Sequence, residues 1–152
     1  MFDWLANPNR FNRITEKIQP CILLIAIISL ISGLYFGLFD SPKDYQQGDA
    51  VRIMYVHVPS AWLASFLYFS LAISCVFYLV WKHPLADLVS SSIAPIGALF
   101  SALTLVTGSL WGKPMWGTWW VWDARLTSMF ILLFIYIGFI IVSKSFNDPV
   151  KG

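Results

Sequence analysis

Two short stretches hold most of the residues that could do chemistry. Residues 111–125 read Trp-Gly-Lys-Pro-Met-Trp-Gly-Thr-Trp-Trp-Val-Trp-Asp-Ala-Arg, with five of the chain's eight tryptophans inside twelve positions. An interfacial aromatic belt uses one or two rings per span end, which is enough to account for Trp62 and Trp81. Five in one segment point to a binding surface. Gly112, Pro114 and Gly117 argue against a continuous helix here. In extended backbone, alternate side chains share a face, so Trp116, Trp120 and Trp122 are expected on one side. Neighbours on that side stand ~7 Å apart. Such a shelf suits a large, flat, apolar ligand with one hydrophilic edge.

The other stretch, 52–62, reads Arg-Ile-Met-Tyr-Val-His-Val-Pro-Ser-Ala-Trp. Pro59 fits the first turn of a helix, which puts His57 at or just before its start. The positive end of the helix dipole disfavours imidazolium there, and neutral imidazole is the form that ligates metals. The only other histidine, His83, lies at the far end of the same apolar run. Asp123 is suited to cap a helix, and Arg125 can extend along apolar surface to the interface. Alternatively Arg52, Lys113 or Arg125 pairs with carboxylates on a ligand. A flat apolar face, a histidine-ligated metal and acidic edge groups together describe haem.

The elements that must position these residues are membrane spans. The 152 residues are 58% hydrophobic and 12% charged, against about 45–50% and 25% in soluble domains. Four nearly uncharged runs, at about 20–39, 58–81, 88–110 and 126–142, are each long enough to cross about 30 Å of hydrocarbon. In lipid such runs must be helical. The expected fold is therefore an all-α integral membrane protein, one domain over 1–152. Segments 40–57 and 111–125 flank an even number of spans and share one side of the membrane. Arg10, Arg13, Lys17, Lys82, Lys144 and Lys151 stand against Lys43, Arg52, Lys113 and Arg125, which places the N-terminus in the cytoplasm. A tail carrying Trp4 and Phe11, before a run longer than a signal h-region, does not read as a cleavable signal peptide.

Other chemistries find no support. A net charge of +2 with no basic stripe excludes nucleic acid. The span interiors carry no charged groups, which opposes a pump, an ion-coupled transporter or an intramembrane hydrolase. No P-loop or H-E-x-x-H helix occurs. Cys21 and Cys75 have no metal or redox spacing and read as small hydrophobes. A permease subunit and a structural subunit docking through its Trp loop remain as rivals.

Trp116-Gly-x-x-Trp120-x-Trp122-Asp123 resembles the W-G-x-x-W-x-W-D motif of the haem-handling membrane proteins of cytochrome c biogenesis. The strings WGKPMWGTWWVWDARLTS and RIMYVHVPSAW are similar to its cytochrome c maturation protein C branch (CcmC, haem exporter protein C). The resemblance implies a multi-pass protein of the bacterial inner membrane, with the mitochondrial inner membrane as the alternative. It implies haem b, held non-covalently and transiently on the outer face and loaded onto the periplasmic haem chaperone (CcmE). An ATP-binding-cassette complex then releases the loaded chaperone. On this analogy His57 is an axial iron ligand, and Trp116, Gly117, Trp120, Trp122 and Asp123 form the haem platform. Arg52, Lys113 and Arg125 are then the candidate propionate partners. A delivery factor is implied, not an enzyme; sibling branches pass haem directly to the apocytochrome. Family members have six spans and a second outer histidine after span five. A chain ending at Gly152 is therefore expected to be truncated and to bind haem through one histidine, with Met54 and Met115 as thioethers on the same side. Met129 stands where the family is expected to carry an acidic residue.

Overall fold

The computed structural model describes residues 8–146, and Trp4 and Lys151 lie outside them. The described residues form helix α1 (Pro8–Tyr35), a π-helical turn (Phe36–Asp40), α2 (Val51–Trp81), α3 (Pro84–Trp116) and α4 (Ala124–Phe146). The all-helical expectation holds. Four helical segments, Phe11–Asp40, Val51–Trp81, Leu85–Trp116 and Ala124–Ser145, are long and apolar enough to cross a membrane.

Each helix outruns its apolar stretch. Hydropathy measures the length exposed to lipid, whereas backbone hydrogen bonding continues into the headgroup region. At 1.5 Å per residue, the 31 residues of α2 span roughly 46 Å, well beyond the hydrocarbon thickness. The connecting segments are accordingly shorter than expected, 41–50 and 117–123 rather than 40–57 and 111–125.

The chain divides into two compact units, residues 1–42 and 43–152. In the first, α1 runs through Pro20 and passes into the π-turn, where the Ser41 hydroxyl donates to the Gly37 carbonyl at 2.7 Å. Leu24, Ile25 and Leu30 are exposed, as side chains offered to lipid would be.

In the second unit α3 packs against both α2 and α4. Apart from Leu105, its buried positions are small or hydroxylated, among them Ser90, Ala94, Ser101, Thr104 and Thr107. Small residues allow helices in lipid to approach closely. The hydroxyls satisfy themselves locally, Ser101 donating to Gly97 O at 2.9 Å and Thr104 to Phe100 O at 2.7 Å. Such back-bonding keeps polar groups paired away from water. Leu71, Ala94 and Tyr136 form the core. The Tyr136 ring lies where a Cβ on Gly97 would stand, and its hydroxyl donates to the Ala64 carbonyl of α2 at 2.8 Å.

The start of α2 is set upstream of Pro59. Asp44 Oδ1 accepts the N–H groups of Gln46 and Gln47 at 2.9 and 2.8 Å. Gly48 adopts φ 57°, and Arg52 N–H then donates to Asp49 O at 3.2 Å. His57 thus lies inside α2, six residues after Val51, and Pro59 lies deeper still. The first-turn placement of Pro59 is corrected. With it goes the dipole argument for a neutral His57, since that effect fades within one turn.

A candidate ligand cavity around His57

A cavity of about 360 Å³ opens where the three helices of the second unit converge, toward the small end of small-molecule sites. α2 contributes Met54, His57, Val58 and Ala61, and α3 contributes Thr104, Gly108, Trp111 and Trp116. Asp123, Arg125, Leu126 and Met129 complete it. The walls are largely apolar, with one imidazole and one guanidinium among them.

His57 is braced by α3. Its Nδ1 lies 3.0 Å from Thr107 Oγ1. A Cβ on Gly108 would come within 3.1 Å of His57 Cε1, so glycine there leaves the ring its room. His83 is 26 residues further along the sequence, at the N-terminal boundary of α3. Along a helix that is roughly 39 Å, so the two histidines cannot share a site.

The tryptophan segment is part helix, part loop. α3 continues through Gly112 and Pro114 to Trp116, which corrects the expected break. Pro114 falls in the last turn, where it disrupts little further helix. Gly117 closes α3 at φ 77°, its N–H donating to Lys113 O at 3.0 Å. Trp116 is therefore placed by the helix and not by strand alternation. It meets Trp111 edge-on at 5.0 Å, and Trp111 Nε1 donates to Gln47 Oε1 at 2.9 Å. Trp120 and Trp122 form a separate group, their rings 5.2 Å apart and both set against Phe130. Trp120 lines a groove with Leu105 and Val106, outside the His57 cavity. The single shelf expected of Trp116, Trp120 and Trp122 is thus divided in two.

Of the three candidate cations, one borders the cavity. Arg125 stacks over Trp116, 5.2 Å from its ring centre, and bonds Asp123 Oδ2 through Nε at 3.0 Å and Nη2 at 2.9 Å. Asp123 Oδ1 also accepts the Leu126 N–H at 2.9 Å, the cap geometry expected of it. That N–H above all, and then Arg125, holds the Asp123 carboxyl below its usual range. Lys113 Nζ instead donates to Gly117 O at 3.0 Å, and Arg52 Nε lies 3.9 Å from Asp49. Met54 and Met129 border the cavity, and Met115 does not.

Sequence reasoning missed Thr104, Gly108, Trp111 and Leu126 as cavity residues, and Thr107 as the partner of His57. For Thr104 and Gly108 the repeating small and hydroxylated positions of α3 were the available signal. No cluster of three or more His, Cys, Asp or Glu that could hold a metal ion occurs among the described residues.

The family model described as Heme exporter protein C matches residues 1–152. The chain is 49% identical over 148 residues to Heme exporter protein C of Bradyrhizobium diazoefficiens, covering 97% of this chain and 56% of that protein. It is 48% identical over 155 residues to the Haemophilus influenzae protein of the same name, covering 100% and 63%. With that of Escherichia coli K12 it shares 46% over 144 residues, covering 95% and 59%. The chain thus spans less than two thirds of the length of these relatives.

Proposed function

The chain belongs to the heme exporter protein C family, and from that premise we propose that it binds haem at the His57 cavity and hands it on during c-type cytochrome biogenesis. The observation that carries this reading is an imidazole set in an apolar cavity whose rim holds an aromatic ring and a guanidinium. The donor set fits a porphyrin iron: one histidine nitrogen, a thioether-rich apolar wall and a cation for a carboxylate edge.

In this reading His57 is the axial ligand, and Trp116 is the first surface of the platform. A macrocycle seated in so small a cavity projects toward the 117–123 loop. There Gly117 permits close approach of the backbone, and Trp120 and Trp122 extend the platform. Asp123 orients Arg125 toward the propionates; Arg52 and Lys113 form an outer ring of positive charge. The haem is haem b, bound non-covalently and released, so the protein is a delivery factor and not an enzyme. The receiver is the periplasmic haem chaperone (CcmE), freed afterwards by the ATP-binding-cassette components of the system. The chain sits in the bacterial inner membrane with its N-terminus in the cytoplasm and the Trp loop outside.

Haemin titration of the protein purified in detergent tests the reading. A saturable Soret band in wild type that is shifted and weakened in His57→Ala is expected. No saturable band in wild type, or a band indifferent to His57→Ala, overturns it.

A further inference from the structure

We propose that Thr107 is the positioning residue for His57, holding the imidazole proton on Nδ1 so that Nε2 keeps its lone pair for the iron. The functional meaning rests on His57 being the haem ligand; the chemistry rests on the contact between α2 and α3.

Thr107 Oγ1 lies 2.7 Å from Leu103 O, 3.2 Å from Thr104 O and 3.0 Å from His57 Nδ1. A hydroxyl has one hydrogen to give, and a carbonyl has none. Two oxygens 2.7 Å apart attract only with a hydrogen between them, so the threonine proton is committed to Leu103 O. The approach of Nδ1 to the same oxygen is then favourable only if Nδ1 brings its own hydrogen. A neutral imidazole carries one N–H, which leaves Nε2 bare. Thr107 is only 8% exposed, so water does not readily replace it as the partner. Gly108, the next residue, lets the α3 backbone lie against the Cε1 edge of the ring. Direction and tautomer are thus fixed by adjacent residues of one helix.

The arrangement follows the general habit of metal-binding histidines, whose second nitrogen donates to a fixed partner. The acceptor here is a neutral hydroxyl. It polarises the imidazole less than a carboxylate would, which suits a ligand that must let its cargo go.

The test starts without haem. Protein labelled with 15N-histidine, in a His83→Gln background that removes the second signal, is held well above the ordinary histidine pKa of about 6.5. The nitrogen shifts of wild-type His57 are expected to show Nδ1–H and unprotonated Nε2. Thr107→Ser should keep that pattern, and Thr107→Val should move population to Nε2–H. Haemin affinity should fall about 10- to 100-fold in Thr107→Val and recover in Thr107→Ser. An Nε2–H tautomer in wild type overturns the proposal without any variant having to fold. So does a tautomer or an affinity that Thr107→Val leaves unchanged. A wild type with the expected tautomer and no haemin binding instead overturns the assignment of His57 as the haem ligand, which separates the two failures.

Discussion

The Arg125 guanidinium stacks 5.2 Å from the centre of the Trp116 ring while Asp123 grips it from the side. The contact joins the start of α4 to the last residue of α3 and closes one rim of the cavity. Trp116, 41% exposed, is thereby held upright beside the His57 cavity, whereas Trp122, 71% exposed, stands apart with Trp120. Trp116→Ala should therefore weaken haemin binding about 2- to 12-fold, the equivalent of about 0.5–1.5 kcal/mol of aromatic contact. Trp122→Ala alone should cost less than Trp116→Ala. Equilibrium titration of the two variants decides this, and a larger loss from Trp122→Ala would move the platform to the outer pair.

Asp123 does two jobs that substitutions can separate. Asp123→Asn keeps an oxygen for the Leu126 N–H and weakens the hold on Arg125; Asp123→Ala loses both. Thermal unfolding midpoints in detergent at pH 7 should fall in the order wild type, Asn, Ala. The carboxyl is held below its usual range in the folded protein, so its contribution is present above the unfolded pKa of about 3.9. It is lost as pH falls through the lower, folded value. The gap between wild type and Asp123→Ala should shrink on acidification below about pH 4; a gap that widens there would contradict the cap.

Gly97 and Tyr136 make the tightest junction of the core. Gly97→Ala drives a methyl into the Tyr136 ring, an overpacking that costs about 1–3 kcal/mol. Tyr136→Phe keeps the ring and loses only the bond to Ala64 O, for which about 0.6 kcal/mol is typical in membranes. Reversible unfolding in mixed micelles should rank Gly97→Ala as the more damaging. The opposite ranking would mean that the helices separate readily at Gly97.

The spans were legible because lipid imposes a simple rule: a long uncharged run must be a helix. Helix ends were not, because Pro59 fits a first turn and Pro114 a helix end by residue type alone. Their local geometry is decided by the Asp44 turn upstream and by Gly117 downstream. His57 and Asp123 could be singled out by residue type. Thr107 could not, since its partner is 50 residues away and one hydroxyl among several along α3 carries no sign of it. The grouping of the tryptophans was misread because alternation was applied across Trp116, which belongs to a helix.

Topology can be tested independently of any ligand. Two spans separate the 41–50 and 117–123 connections, so reporters inserted after Lys43 and after Thr118 should report one compartment. The hydrogen bond from Trp111 Nε1 to Gln47 Oε1, 2.9 Å across these ends, requires the same. Opposite compartments would break the arrangement of α2 and α3 outright.

The ligand set of the iron gives the sharpest spectroscopic expectation. Among the described residues the cavity offers one histidine, His57, while His83 lies at the other end of α2. Met54 precedes His57 by three residues on the same helix face, so it approaches an iron from the side His57 already occupies. Met129 reaches the cavity from α4, and a thioether can ligate haem iron. It is nonetheless a weaker donor to ferric iron than imidazole. Ferric haem bound to this chain is therefore expected to be mainly high-spin with one protein ligand, and added imidazole should convert it to low-spin. Met129→Leu should leave the ferric spectrum unchanged. A low-spin spectrum lost in Met129→Leu would assign a histidine–methionine pair instead. A low-spin bis-histidine spectrum from a monomer would overturn the single-ligand site. From a dimer it would place the His57 of each copy at a shared iron, so mass must be measured on the same sample by light scattering.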